Sequence, residues 1–324
     1  MSALAEAAER STAVALKPAA ISARGVVRRY RTGRGVGPVD IDVNAGETVA
    51  LMGRNGCGKT TLLRVLATVS RAQQGRVRWF GGGAATARHH LGLSLDTALE
   101  DGGLSGRQAT HFWCAQWVAD DDEVRVRTEA ALTGLGLAAA ADDAVASYSF
   151  GMRRRLALAA ALVHGPALVL LDEPTAGLDP DGCAQLAGLI AERSQRGQST
   201  LVASNDPGFV ESVADRVAFL DEGQLVRCAP PRQLLAALPA GRLAEMVIDG
   251  GVDRRALADV HGVMAVTLLD DATVTVRFES DAAIASLVAA ADAPGGRLRE
   301  LHLRRPDLGD CFAELTGHPL RDLV

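Results

Sequence analysis

The stretch LVLLDEPTAGLDP, residues 168–180, decides the fold. Four apolar residues, Leu168, Val169, Leu170 and Leu171, run straight into Asp172 and Glu173. A short unbroken apolar run marks a strand buried on both faces of a parallel sheet. Two carboxylates at its end are costly unless they meet a cation or do chemistry. Open α/β sheets hold their ligands at the carboxyl ends of their strands. The stretch therefore predicts a metal-nucleotide site, against the plainer alternative of a solvated acidic turn. A phosphate loop elsewhere in the chain decides between the two.

That loop is Gly53-Arg54-Asn55-Gly56-Cys57-Gly58-Lys59-Thr60, followed by Thr61. It fits G-x-x-x-x-G-K-[ST], and it lies between an apolar strand, ETVALM, and an amphipathic run, LLRVLATV. Glycines let backbone N–H groups curl around phosphate oxygens, and the helix N-terminus adds positive potential. Lys59 would reach the β- and γ-phosphates, and the Thr60 hydroxyl would ligate Mg²⁺. Asp172 is then the second anchor of the metal. Glu173 is left as candidate general base for the attacking water, or as a helix-capping acid.

Further out, VVRRYR and PVDIDV read as short strands, GRVRWFGG as another, and residues 105–160 as mostly helical. Asp120 to Glu123 suit the start of a helix. Trp113 and Trp117, beside His111 and Phe112, share one helix face by their i, i+4 spacing. They read as a core stripe or as a groove for a partner's helix. His89-His90 reads as a solvated strand entry, with no third metal ligand in range. After residue 230 the pattern becomes β-α-β-β-α-β, the ferredoxin-like order. The expected architecture is α/β: a P-loop core with a helical subdomain, and a small α+β domain behind it. The expected division is a flexible tail at 1–20, a nucleotide-binding domain at 21–240 and an accessory domain at 241–324. Leu308, Phe312 and Leu315 predict a last helix packed on the small sheet.

With 324 residues and 48% hydrophobic content the chain can build two cores. A net charge of −5 and 4% aromatic content argue against a nucleic-acid partner. Five scattered cysteines without a C-x-x-C pair fit a reducing compartment. No apolar run approaches the roughly 20 residues of a membrane helix. Work at a membrane would need spans from another chain. The Ala-rich start, with Glu6 and Glu9, does not read as a signal peptide.

Tyr148-Ser149-Phe150-Gly151-Met152 precedes the helical run RRRLALAAAL, and Ala176-Gly177-Leu178-Asp179 follows the acidic strand. With the P-loop and Asp172-Glu173, this ordered set resembles the ATP-binding subunits of ABC transporters over about residues 21–230. Ser149 and Gly151 match the family's LSGGQ signature, whereas Phe150 and Met152 depart from it. Lys59 to Ser149 is 90 residues (149−59), and Ser149 to Asp172 is 23 (172−149), in keeping with the family. The resemblance implies ATP and Mg²⁺ as ligands, and Tyr30 stacked on adenine. It implies Asp179 in the D-loop, and a head-to-tail pair of nucleotide-binding subunits, homo- or heteromeric. In that pair Ser149 and Gly151 would face the other subunit's ATP. It also implies membrane-spanning partner subunits, with this chain cytoplasmic on the inner face of the membrane.

Two positions depart from the family. Asp96 stands where a Gln is usual, and Asn205 where a switch His is usual. Asp96 could ligate Mg²⁺ but would repel the γ-phosphate. Asn205 can donate a hydrogen bond but carries no positive charge. Hydrolysis slower than at a consensus site is expected, against the alternative that both are tolerated. The tail, RRPDLGDCFAELTGHPLRD, resembles that of daunorubicin-type exporter ATPases. The resulting expectation is an ATPase subunit that powers an exporter. The alternative is a weakly catalytic regulatory module that senses a ligand through its C-terminal domain. A soluble protein acting on DNA or ribosomes would need a second cassette or a coiled-coil insertion, and the sequence has neither.

Overall fold

The computed structural model describes residues 19–95, 103–292 and 295–320. Strands β1 (Ile21–Arg29) and β2 (Gly35–Val43) pair antiparallel. Strand β3 (Thr48–Met52) leads through the glycine loop into helix α1 (Lys59–Leu66). Strand β4 (Gln74–Trp79) returns to β1 and completes a sheet in the order β2-β1-β4. Helix α2 (Ala84–His90) and strand β5 (Leu91–Ser94) follow. His89 and His90 close α2, exposed, and lead directly into β5 at Leu91; the His90 ring meets Phe80 edge-on at 5.7 Å.

Three helices follow: α3 (Gly106–Ala115), α4 (Asp121–Gly134) and α5 (Phe150–Leu162), the last with Leu158, Ala159 and Ala161 in the core of the main sheet. Ser105 and Gln108 close a capping box on α3, and Asp120 caps α4 through the Glu123 N–H. The chain continues through β6 (Leu168–Asp172), α6 (Pro180–Gln195), β7 (Ser199–Ala203), α7 (Pro207–Val213), β8 (Arg216–Asp221), β9 (Gln224–Ala229) and α8 (Pro231–Ala236). The main sheet runs β5-β6-β7-β3-β8-β9, parallel except for β9.

β6 shows why its sequence is unbroken apolar. Leu168 and Leu170 join the core shared with α1 and the antiparallel sheet, beside Ile21, Val26 and Leu63. Val169 and Leu171 join the opposite core, beside Met52, Leu186 and Phe219. Alternate residues of a strand serve opposite faces, and here both faces are dry.

The second sheet consists of β10 (Arg242–Asp249), β11 (Val263–Leu268), β12 (Thr273–Phe278) and β13 (Arg297–Arg304), with α9 (Arg254–Ala258) and α10 (Ile284–Ala291) between strands. Its order is β11-β12-β10-β13, antiparallel throughout. Met246, Val274, Val276 and Phe278 meet Leu257 of α9 and Leu287 of α10 in a separate core.

Helix α11 (Leu308–Thr316) corrects one expectation. Its apolar face does not cover the small sheet. Leu308, Cys311 and Phe312 enter the second core of the main sheet, and Phe312 meets Phe219 of β8 edge-on at 5.7 Å. Leu315 is exposed. The stripe marks a buried face but does not say which surface buries it.

Candidate nucleotide site

The sheet brings together the P-loop, the end of β6 and the segment after β7. Gly53 leaves β3 where a Cβ would collide with the Leu220 carbonyl oxygen, so only glycine passes. Gly58, at φ 115°, lies against Val36 and Gly35 and takes the N-cap of α1 without a side-chain cap. The first turn of α1 holds no acidic residue. Its N–H groups are left for an anion.

Lys59 is 6% exposed. Its Nζ donates to the Gly53 carbonyl at 2.6 Å and to Asn205 Oδ1 at 2.9 Å, and lies 3.6 Å from Glu173 Oε1. Asn205 donates from Nδ2 to Asn55 Oδ1 at 3.0 Å and from its backbone N–H to Glu173 Oε2 at 3.3 Å. One hydrogen-bonded network thus joins Lys59, Asn55, Asn205 and Glu173.

Asp172 is 1% exposed at the end of β6. Glu173 follows with a left-handed backbone, φ 45°, a strain of order 1–3 kcal/mol for a non-glycine residue. Its N–H donates to the Ala203 carbonyl at 2.8 Å. Burial pushes its carboxyl above the usual carboxylate range, although Lys59 pulls the other way. A base at neutral pH gains proton affinity from such a shift.

The residues fit a Mg²⁺-nucleotide group: an uncapped helix start, a buried lysine, a hydroxyl at Thr60 and an oxygen donor at Asp172. Asp96 lies outside the described residues.

The other expected residues lie elsewhere. Tyr30 follows β1, 37% exposed, with the Arg28 guanidinium 5.2 Å from its ring centroid. Ser149 caps α5 by accepting from the Met152 N–H at 3.2 Å. A Cβ on Gly151 would come within 2.7 Å of the Gly177 carbonyl oxygen, and the Phe150 ring covers Gly177. Asp179 caps α6 through the Gly182 N–H at 2.9 Å.

Two arginines of the signature helix carried no signal in the sequence. Arg155 donates to Asp179 Oδ1 at 2.6 Å, and Arg154 donates to the Glu173 carbonyl at 2.6 Å. Three consecutive arginines stand there, and the fold buries the middle one. The aromatic residues also depart from one of their two readings. Phe112, Trp113 and Trp117 are exposed, so they are not a core stripe, and Trp117 stacks on His164 at 5.0 Å.

The ABC transporter family model matches residues 36–176. A daunorubicin resistance ATP-binding protein of Streptomyces coeruleorubidus is 32% identical over 310 residues, covering 93% of this chain and 97% of that protein. A daunorubicin/doxorubicin resistance ATP-binding protein of Streptomyces peucetius is 29% identical, covering 94% of each. Among solved structures, cbiO1 from Clostridium perfringens, part of an ABC transporter complex, matches with a TM-score of 0.59 and 25% identity. That match spans 68% of this chain and 92% of the other. No described helix is long and apolar enough to cross a membrane. Family model, relatives and fold agree with the phosphate loop and its network: the chain belongs to the ATP-binding subunits of ABC transporters.

Proposed function

We propose that this chain hydrolyses ATP to drive a drug exporter whose membrane spans lie in other subunits, on the inner face of the membrane. The network joining Lys59, Asn205 and Glu173 carries this reading. The export direction rests on the resistance proteins to which the chain is similar.

Gly53 to Thr61 wrap the phosphates with backbone N–H groups, and Lys59 leaves its internal partners to meet the β- and γ-phosphates. Thr60 and Asp172 would hold Mg²⁺, with Asp96 a further candidate ligand; the ion would offset phosphate charge. Glu173 takes the proton of the attacking water. Asn205 aims an uncharged donor at the γ-phosphate, so the site works more slowly than one with an imidazolium there. Tyr30 stacks on the base. Ser149 and Gly151, with Asp179 nearby, serve the nucleotide of a second subunit in a head-to-tail dimer. The small sheet is a ferredoxin-like accessory unit, with its boundary near residue 240.

The test is steady-state turnover of the full chain with Mg²⁺-ATP. Glu173→Gln lowers turnover by roughly 10²–10⁴, the worth of a general base, with ATP still bound. Asn205→His raises it on the order of tenfold, since a charged donor is stronger than an amide. Turnover unchanged by Glu173→Gln would sink the mechanism.

A further inference from the structure

Arg154 lies inside the signature helix, yet its guanidinium spends its hydrogen bonds on the catalytic edge of the main sheet. It is 2% exposed. Nη1 donates to the Leu95 carbonyl at 3.0 Å, just beyond β5. Nη2 donates to the Asp172 carbonyl at 3.3 Å and to the Glu173 carbonyl at 2.6 Å. One rigid, always-charged fork therefore ties three carbonyls, on two backbone segments, to α5.

The bond to Glu173 is the informative one. Glu173 holds φ 45°, a conformation that an L residue keeps only when its surroundings over-determine it. Its N–H is fixed by the Ala203 carbonyl on one side, and its carbonyl by Arg154 on the other. The direction of its Cα–Cβ bond, and hence of its carboxylate, follows from those two anchors. Asn205 and Lys59 then hold the carboxylate itself.

α5 begins at the other functional end. Ser149 is its N-cap, and Arg154 lies five residues on (154−149). The helix that presents the signature to a second nucleotide thus also carries the side chain that sets the backbone of this chain's own base.

We propose that Arg154 is a positioning residue for ATP hydrolysis. It fixes the left-handed backbone of Glu173 from the signature helix, and so couples engagement of the signature to alignment of the base. This rests on the reading of Glu173 as general base.

The experiment uses the full chain, with single-turnover hydrolysis beside binding of a fluorescent ATP analogue and thermal unfolding. Arg154→Lys keeps the charge but cannot reach three carbonyls; Arg154→Gln keeps a neutral donor and serves if the lysine variant does not fold. The expected result is a roughly 10- to 100-fold fall in the hydrolysis rate, the scale of a small misplacement of a reacting group. Analogue affinity stays within about twofold, and the acid limb of the pH–rate profile shifts with the new surroundings of Glu173. In a Glu173→Gln background, Arg154→Lys adds no further loss, because the two act as a unit.

Three results overturn the proposal. Hydrolysis unchanged in Arg154→Lys, with Glu173→Gln inactive, removes Arg154 alone and leaves the base in place. Affinity and melting temperature falling in step with the rate show a residue that only holds the fold. Hydrolysis that survives Glu173→Gln removes the base reading and this proposal with it.

Discussion

At Glu173 the demands of folding and of chemistry conflict. Burial favours the neutral carboxyl, while the proposed role as a base would need the carboxylate. The folded chain holds this proton to higher pH than the unfolded chain, which releases it near 4.5. Stability therefore falls as pH rises from that value through the raised folded one, and the loss is complete above it. Glu173→Gln mimics the neutral form and avoids the loss. The variant should unfold at higher temperature than the wild type at pH 7 to 8, and the gap should close near pH 4. Melting curves of both proteins across that range check the sign; a variant less stable at neutral pH would contradict it. The candidate residues of this network were legible because each sits in a pattern with a mechanical reason, such as a glycine loop or a doubly buried strand. The arginines behind them were not. A buried guanidinium that donates to carbonyls answers to backbone positions, and these have no signature in the sequence.

At the scale of elements, β6 and α11 show what periodicity can and cannot decide. An unbroken apolar run of strand length has one interpretation in a parallel sheet, and β6 follows it on both faces. The i, i+4, i+7 stripe of α11 gives a face but not a partner, and the helix passes over the nearer sheet to reach β8. The reason lies in the target: Phe219 offers an aromatic edge, and the surrounding positions are filled by Val210, Leu234 and Leu320. Phe312 is fully buried there. Phe312→Ala should cost about 3–5 kcal/mol, the price of a large buried aromatic. Denaturant unfolding measures it. A loss under about 1 kcal/mol would mean that α11 is only loosely held.

At the scale of the molecule, the outside of α3 stands out. Phe112 and Trp113 on α3, and Trp117 just beyond its end, are exposed, while the buried residues of the helix are Gly106, Ala109, Thr110 and Cys114. Exposed aromatic clusters mark contact surfaces. Trp113→Ala with Trp117→Ala should leave ATP turnover of the isolated subunit within about twofold. The pair should still cost at least about 2 kcal/mol of binding to a membrane subunit, as aromatic anchors do. Co-purification from membranes, beside turnover of the free chain, separates the two effects. Equal recovery of wild type and variant would remove this surface from the coupling path.

The return of α11 to the main core has a topological consequence. Because β10 to β13 lie between α8 and α11, and both of these helices pack in one cluster with β8, the small sheet is an insertion, not an appendage. It is pinned at two points. Cutting the chain at residue 240 would strip the cover from Phe219, whereas looping out 241–306 would leave that cover in place. β8 thus faces both regions: its Phe219 meets Phe312 of α11, and its Leu220 carbonyl forms the wall behind Gly53.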